Sequence, residues 1–268
     1  MLLHYKIFGE ENKDAPWVTF VHGAGGSSSI WFKQIKAFSA HYRILLIDLR
    51  GHGNSTKGEV QSSYTFKDIS REVLEVLDHL EIKSSHFTGI SLGTIIIREI
   101  AEHFPDRVDS MILGGAILKF NLRGKILMKL GQWFKSVLPY MLLYKLFAFV
   151  ILPRKNHKEA RSMFVFEARK VAQKEFVRWY KLTSSINNLL KIHRTKDIGI
   201  PTLFIMGSED YMFLEPIRDL VKNQSKAILK VIDQCGHVVN VEQPQTFNEI
   251  AITFLKNLNN PKTNEQNQ

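Results

Sequence analysis

Apolar residues fall along this 268-residue chain in two alternating patterns. Short runs bounded by turn residues occur at Trp17–Val21, Arg43–Ile47, His86–Ile90, Ser110–Leu113, Thr202–Met206 and Ile228–Ile232, and an opening run covers Leu2–Phe8. Their length and β-branched content predict strands. Between them lie longer segments with helical spacing, at Ile30–Ser39, Phe66–Leu80, Leu92–His103, Glu215–Lys222 and Pro244–Leu258. This alternation predicts an α/β fold, a mostly parallel sheet flanked by helices. Ligands of such sheets bind beyond the carboxyl ends of the strands, so the residues that follow each strand matter most.

The rhythm stops after Gly114–Gly115 and resumes at Ile200–Pro201. The intervening stretch, residues 117–197, is helical in pattern and is expected to form an inserted helical cap. Residues 1–116 and 198–258 then make the core domain, and 259–268 form a polar tail expected to fray. Within the cap, Ile126, Leu127, Leu130, Trp133, Phe134, Val137 and Leu138 plot onto one helical stripe. Lys125, Lys129, Gln132 and Ser136 fall opposite, and Pro139 ends the helix. The cap also holds 12 of the 29 aromatic residues, which are expected to build its core, an apolar acyl pocket, or both.

Hydrophobic content of 44% with 23% charged residues is ordinary for a globular protein. No stretch reaches the ~18 uncharged apolar residues of a membrane span. The nearest, Leu138–Leu152, is short and carries Lys145. A single cysteine, Cys235, excludes an intrachain disulfide and fits a reducing compartment. The opening MLLHYKIFGEENKD has no basic segment followed by an apolar run, so a cytoplasmic protein is expected. The net charge of +10 changes the picture through its distribution: residues 117–196 carry 18 Lys and Arg against three acids. The cap is therefore expected to present a solvated basic face, or to meet anionic lipid peripherally, or to draw in an anionic substrate. No nucleic-acid partner is expected.

Candidate chemistry centres on FTGISLGTI, residues 87–95. With 16 glycines in the chain, chance would supply a G-x-S-x-G match only about 0.06 times. Ser91 follows a strand and precedes a helix, the setting a nucleophile elbow requires, and any Cβ at position 89 or 93 would clash across so tight a turn. A serine hydroxyl is a weak nucleophile and needs a base, which in turn needs an orienting group. His237, in DQCGHVVNVEQP, follows a strand end and is the candidate base. Asp210, in LFIMGSEDYMF, is the candidate orienter, with Glu209 as its rival and a helix N-cap as its bland alternative. The glycine-rich FVHGAGGSSSIW, residues 20–31, has Ser28 where a dinucleotide fingerprint wants its third glycine, and no Lys-Ser or Lys-Thr pair follows as a P-loop needs. An oxyanion hole fits better, made by the N–H groups of Ala24 and Leu92.

HGAGG, DLRGHGNS (48–55), GISLG, Asp210 and GHVVNVEQP in this order resemble the α/β-hydrolase fold family, of the cap-bearing, single-domain serine esterase type. The resemblance covers residues 2 to about 258. It implies Ser91, Asp210 and His237 as the catalytic triad and Ala24 and Leu92 as oxyanion donors. Asp48, Arg50, His52 and Gly53 match a motif that is chiefly structural in the family. The implied activity is hydrolysis of an ester, thioester or lactone through an acyl-enzyme, with no metal or organic cofactor. Its substrate would be a small-molecule acyl compound, with an anionic or lipid-like one left open by the basic cap. Two departures stand out. The chain opens at Leu2–Phe8, so the first strand of the usual eight-stranded sheet is expected to be missing. GISLG also resembles the menaquinone-pathway synthase of this fold, but the arginine that follows the elbow there has no counterpart in Ser91-Leu92-Gly93-Thr94-Ile95. Lyase, C–C hydrolase or acyl-transfer chemistry is therefore the lesser alternative, and a ligand-binding protein with an idle triad is a third.

Overall fold

The computed structural model describes residues 2–56, 64–121, 139–184 and 186–259, together with Gly124, Ile126, Lys129 and Trp133. Strands β1 (Tyr5–Phe8), β2 (Trp17–Val21), β3 (Arg43–Ile47), β4 (Ser85–Ile90), β5 (Val108–Gly114), β6 (Thr202–Gly207) and β7 (Ala227–Ile232) form one sheet in the order β1-β3-β2-β4-β5-β6-β7. Only β1 runs antiparallel to its neighbour. The strands lie within a residue or two of the runs read from the sequence, except that the opening strand begins at Tyr5.

The inner strands are buried on both faces, and their alternate residues supply two separate cores. Val21, Ile47, Phe87, Leu113 and Phe204 face α2 (Phe66–His79), α3 (Leu92–His103) and α8 (Leu214–Val221). Phe20, Ile44, Ile112 and Ile205 face α1 (Phe32–Ser39) and α10 (Pro244–Asn259) through Trp31, Phe38, Phe247 and Leu255. Local chemistry sets the helix starts. A capping box between Thr65 and Asp68 opens α2. The segment predicted as one helix from Ile30 divides, because a 3-10 turn over Ser28–Trp31, capped by the Ser27 hydroxyl, precedes α1.

Between β5 and β6 the chain inserts α4 (Tyr140–Ile151), α5 (Lys158–Ala168), α6 (Gln173–Ser184) and α7 (Asn187–Thr195). These helices pack through a small core of their own, including Leu143, Tyr144, Ala168, Phe176 and Tyr180. The insertion grips the core domain by polar contacts. The Trp179 indole N–H donates to the Arg50 carbonyl at 3.1 Å, and the Tyr64 hydroxyl donates to Glu175 at 3.2 Å. Most of the stripe predicted between Lys125 and Leu138 lies outside the described residues, as does nearly all of the polar tail. Ile126 and Trp133, placed on that stripe's apolar side, are exposed rather than packed into a cap core. Among the described residues no helix is long and apolar enough to cross a membrane.

Candidate active site

At the end of β4 the chain turns into α3 within one residue. Ser91 takes φ +53° and ψ −120°, a region costly for any residue with a side chain. The strain is held by its surroundings: the Ser91 N–H donates to the Gly114 carbonyl at 3.0 Å, and the Ser91 carbonyl accepts from the Thr94 hydroxyl at 2.6 Å. A Cβ on Gly93 would overlap the carbonyl oxygens of Val21 and His22, and one on Gly89 would sit 2.5 Å from Ile97. Two glycines thus let the helix start press against strand β2 and lift the serine hydroxyl above the sheet.

His237 sits between β7 and the short helix α9 (Val239–Glu242). Its Nε2 lies 2.9 Å from Ser91 Oγ and its Nδ1 2.8 Å from Asp210 Oδ2. An ionised carboxylate only accepts, so Nδ1 carries the proton and Nε2 is free to take one from the serine. Asp210 and His237 are almost wholly buried. The Asp210 side chain does not cap α8; only its backbone carbonyl receives the N–H groups of Phe213 and Leu214. Glu209 points away, to Arg154, Asn156 and His157 of the insertion, with 2.9 Å to Asn156 and 2.8 Å to His157. Cys235 offers no rival nucleophile, since burial pushes its thiol up.

The Gly23–Gly26 loop faces the serine, with a Cβ on Gly23 falling 3.2 Å from that of Ser91. Two buried histidines shape it. His22 Nδ1–H donates to the Gly23 carbonyl at 2.7 Å while its Nε2 accepts the Leu49 N–H at 3.0 Å. His52 Nδ1–H donates to the Arg50 carbonyl at 2.9 Å while its Nε2 accepts the Gly25 N–H at 3.0 Å. Asp48 fixes the following turn through the Ser28 N–H at 2.6 Å and the Asn54 N–H at 2.9 Å. Burial pushes its carboxyl up, but these donors outweigh that and hold it below the usual range. The Gly26 N–H is taken by the Gly23 carbonyl, whereas the Ala24 N–H has no acceptor among the described residues. Leu92 is the first residue of α3, so its N–H has no acceptor within the helix. Both residues line the cavity around Ser91.

One residue not assigned from the sequence holds His237, the candidate base, in place. Glu242 accepts the N–H groups on either side of His237, from Gly236 at 2.8 Å and Val238 at 3.0 Å. The only signal was an acid five residues after the histidine, which spacing alone leaves uninterpreted.

Above the serine lies a cavity of about 170 Å³. Ser91, His237, Ala24 and Leu92 form its floor, and Tyr144, Phe147, Phe164, Phe176, Trp179 and Tyr180 of the insertion form its roof. The insertion's aromatics therefore divide between this roof and an outer surface that exposes Phe149 and Phe166. Among the described residues the lining contains no lysine or arginine. Its one carboxylate, Glu167, accepts from Ser27 at 2.8 Å and from Lys170 at 2.7 Å.

Burial, reinforced by neighbouring His22, drives the His52 imidazole down to about 3. An unfolded chain binds a proton near the ordinary histidine value of ~6.5, and the folded state refuses it. The stability His52 confers is complete above that pH and is withdrawn as the pH falls toward 3. In urea titrations between pH 6 and 4, His52→Gln should flatten the loss of stability by about 1.4 kcal/mol per pH unit, one proton's worth. An unaltered slope would mean that His52 is not held neutral.

The sheet order, the helices on both faces and the strand–turn–helix serine define a class: the chain belongs to the α/β-hydrolase fold family. The family model described as "alpha/beta hydrolase fold" matches residues 16–148. The chain is 28% identical to "Putative carbamate hydrolase RutD" of Agrobacterium fabrum, over 94% of this chain and 98% of that protein. It is 25% identical to 3-oxoadipate enol-lactonase 2 of Acinetobacter baylyi, over 96% and 94%. Among solved structures it resembles the enol-lactonase from Burkholderia xenovorans LB400, with a TM-score of 0.77 at 22% identity over 95% and 96% of the two chains.

Proposed function

We propose that the protein is a serine hydrolase that cleaves a neutral carboxylic ester, thioester or lactone through an acyl-enzyme on Ser91. Hydrolysis in general is what the fold and its relatives, a carbamate hydrolase and an enol-lactonase by name, support. The finer reading rests on one observation: the unbroken chain Ser91–His237–Asp210 on the floor of an apolar cavity. In this reading His237 Nε2 takes the Ser91 proton as Oγ attacks the acyl carbon, and Asp210 stabilises the imidazolium. The N–H groups of Ala24 and Leu92 receive the oxyanion, each typically worth ~3 kcal/mol in the transition state. The imidazolium returns its proton to the leaving group. Water then repeats the sequence against the acyl-enzyme and frees Ser91.

The cavity lining narrows the substrate. An anionic acyl chain would meet Glu167 and no cation among the described residues, so a neutral, apolar acyl group fits best. The same lack of a cation leaves lyase chemistry of the pyruvate-releasing kind without a carboxylate anchor. Each methylene buried contributes ~0.8 kcal/mol. Across chromogenic esters of straight-chain acids, kcat/KM should therefore climb a few-fold per added methylene until the cavity is full. An ester with a terminal carboxylate should fall well below its neutral isostere. Preference for the anionic ester would contradict the substrate assignment, and hydrolysis of none of them would contradict the esterase reading.

A further inference from the structure

Helix α4 is apolar on nearly every side, yet only one side is covered. Tyr144, Phe147, Ala148 and Ile151 face the cavity. Leu142, Lys145, Leu146 and Phe149 follow one another at the i, i+3, i+4, i+7 spacing of a single helical face, and all four are exposed. A surface helix normally turns polar residues outward there. Helix α5 lies beside it and extends the patch with Val165 and Phe166, and with Arg169 just past its end. Leu142, Leu146, Phe149 and Phe166 are between 45% and 58% exposed.

Cations are interleaved with these apolar groups. The Arg161 guanidinium lies 5.5 Å from the Phe149 ring centre and Lys170 Nζ 4.6 Å from that of Phe166, while Lys145 and Arg169 stand exposed at the rim. Of the three acids in residues 117–196, Glu159 is engaged with Lys33 and Glu175 with Tyr64 and Arg178, while Glu167, which also accepts from Ser27, pairs with Lys170 and leaves Lys145 and Arg169 without an acidic neighbour from this set. An exposed apolar patch marks a docking surface, and Leu and Phe beside Lys and Arg on one helical face match an interfacial amphipathic helix. Charge selects the occupant. A second copy would set one strongly basic insertion against another, whereas an anionic bilayer complements both the cations and the apolar side chains.

We infer that the outer face of α4 and α5 docks on an anionic lipid bilayer, with Leu142, Leu146, Phe149 and Phe166 entering the headgroup boundary and Lys145, Arg161 and Arg169 meeting phosphates. The opposite side of α4 roofs the Ser91 cavity, so docking holds that cavity about one helix diameter, ~10 Å, from the membrane. Delivery of membrane-partitioned acyl esters to Ser91 rests on the proposed hydrolase function; the docking does not.

The test is co-sedimentation with phosphatidylcholine vesicles, with and without phosphatidylglycerol, at low and physiological salt. Ser91→Ala is included so that binding is read independently of catalysis. Wild type and Ser91→Ala should bind the anionic vesicles equally, weaken as salt rises, and bind neutral vesicles roughly tenfold less or worse. Leu146→Glu/Phe149→Glu should cut binding to anionic vesicles by about tenfold or more with the circular dichroism spectrum unchanged. Lys145→Ala/Arg169→Ala, gentler on the fold, should cut it severalfold. Equal, negligible sedimentation with both vesicle types would overturn the inference, as would binding that neither double variant alters. So would a dimer in sedimentation velocity that Leu146→Glu/Phe149→Glu dissolves while no vesicle binding is seen, since the patch would then be a subunit interface.

Discussion

Ser91→Ala should lower kcat/KM for any ester the protein cleaves by about four orders of magnitude or more, with the melting temperature little changed. The loss is large because, in the proposed mechanism, the hydroxyl oxygen bonds to the acyl carbon, and among the described residues no other nucleophile is placed to substitute. Cys235 is buried with its thiol pushed up, and Glu209 is turned toward the insertion. His237→Ala should cost a comparable factor. The double variant should lose little more than either alone, since a base is of no use without the nucleophile it serves. Strongly additive losses would mean that the two residues act in separate steps. Retention of most activity by Ser91→Ala would remove it from the chemistry altogether. Its backbone strain should persist in the variant, because the elbow is set by Gly89, Gly93 and the hydrogen bond to Gly114, none of which involves the hydroxyl.

Asp210→Asn should come next, at about 10⁴-fold in kcat. The change is nearly isosteric but reverses the logic of the hydrogen bond. An amide nitrogen at the Oδ2 position would donate to His237 Nδ1 and move the imidazole proton to Nε2, where it would face Ser91 and could not accept. Asp210 is buried and its side chain caps no helix, so the folded state should tolerate the change far better than catalysis does. Equal steady-state rates for Asp210→Asn and wild type would show that the carboxylate does not orient the base. Glu209→Gln supplies the contrast. It should leave kcat close to wild type while loosening the attachment of Arg154 and His157, read as a fall in melting temperature.

The sheet was legible because its inner strands are buried on both faces and so contain unbroken apolar runs such as ILLI and LFIM. Ser91, Asp210 and His237 could be singled out because all three follow strand ends, where a parallel sheet gathers its loops. Less legible features depend on neighbours distant in sequence. The roles of His22 and His52 as neutral struts of the glycine loop follow from two hydrogen bonds apiece to backbone that only the fold brings near. Glu242 was visible in GHVVNVEQP, but its grip on both sides of His237 depends on the turn that α9 makes. Helix α4 shows the limit most clearly. YMLLYKLFAFVI is apolar on nearly every side, and periodicity cannot say which face roofs a cavity and which is left bare.

Labelling with a fluorophosphonate, followed by peptide mass spectrometry, reads whether Ser91 is an activated nucleophile. Ser91 Oγ would displace fluoride and bond to phosphorus only if His237 and the oxyanion donors make it nucleophilic. One rapid adduct is expected, on the peptide carrying Ser91, absent from Ser91→Ala and slowed by orders of magnitude in His237→Ala. A folded protein that takes no label, or one whose label persists in Ser91→Ala, would contradict it.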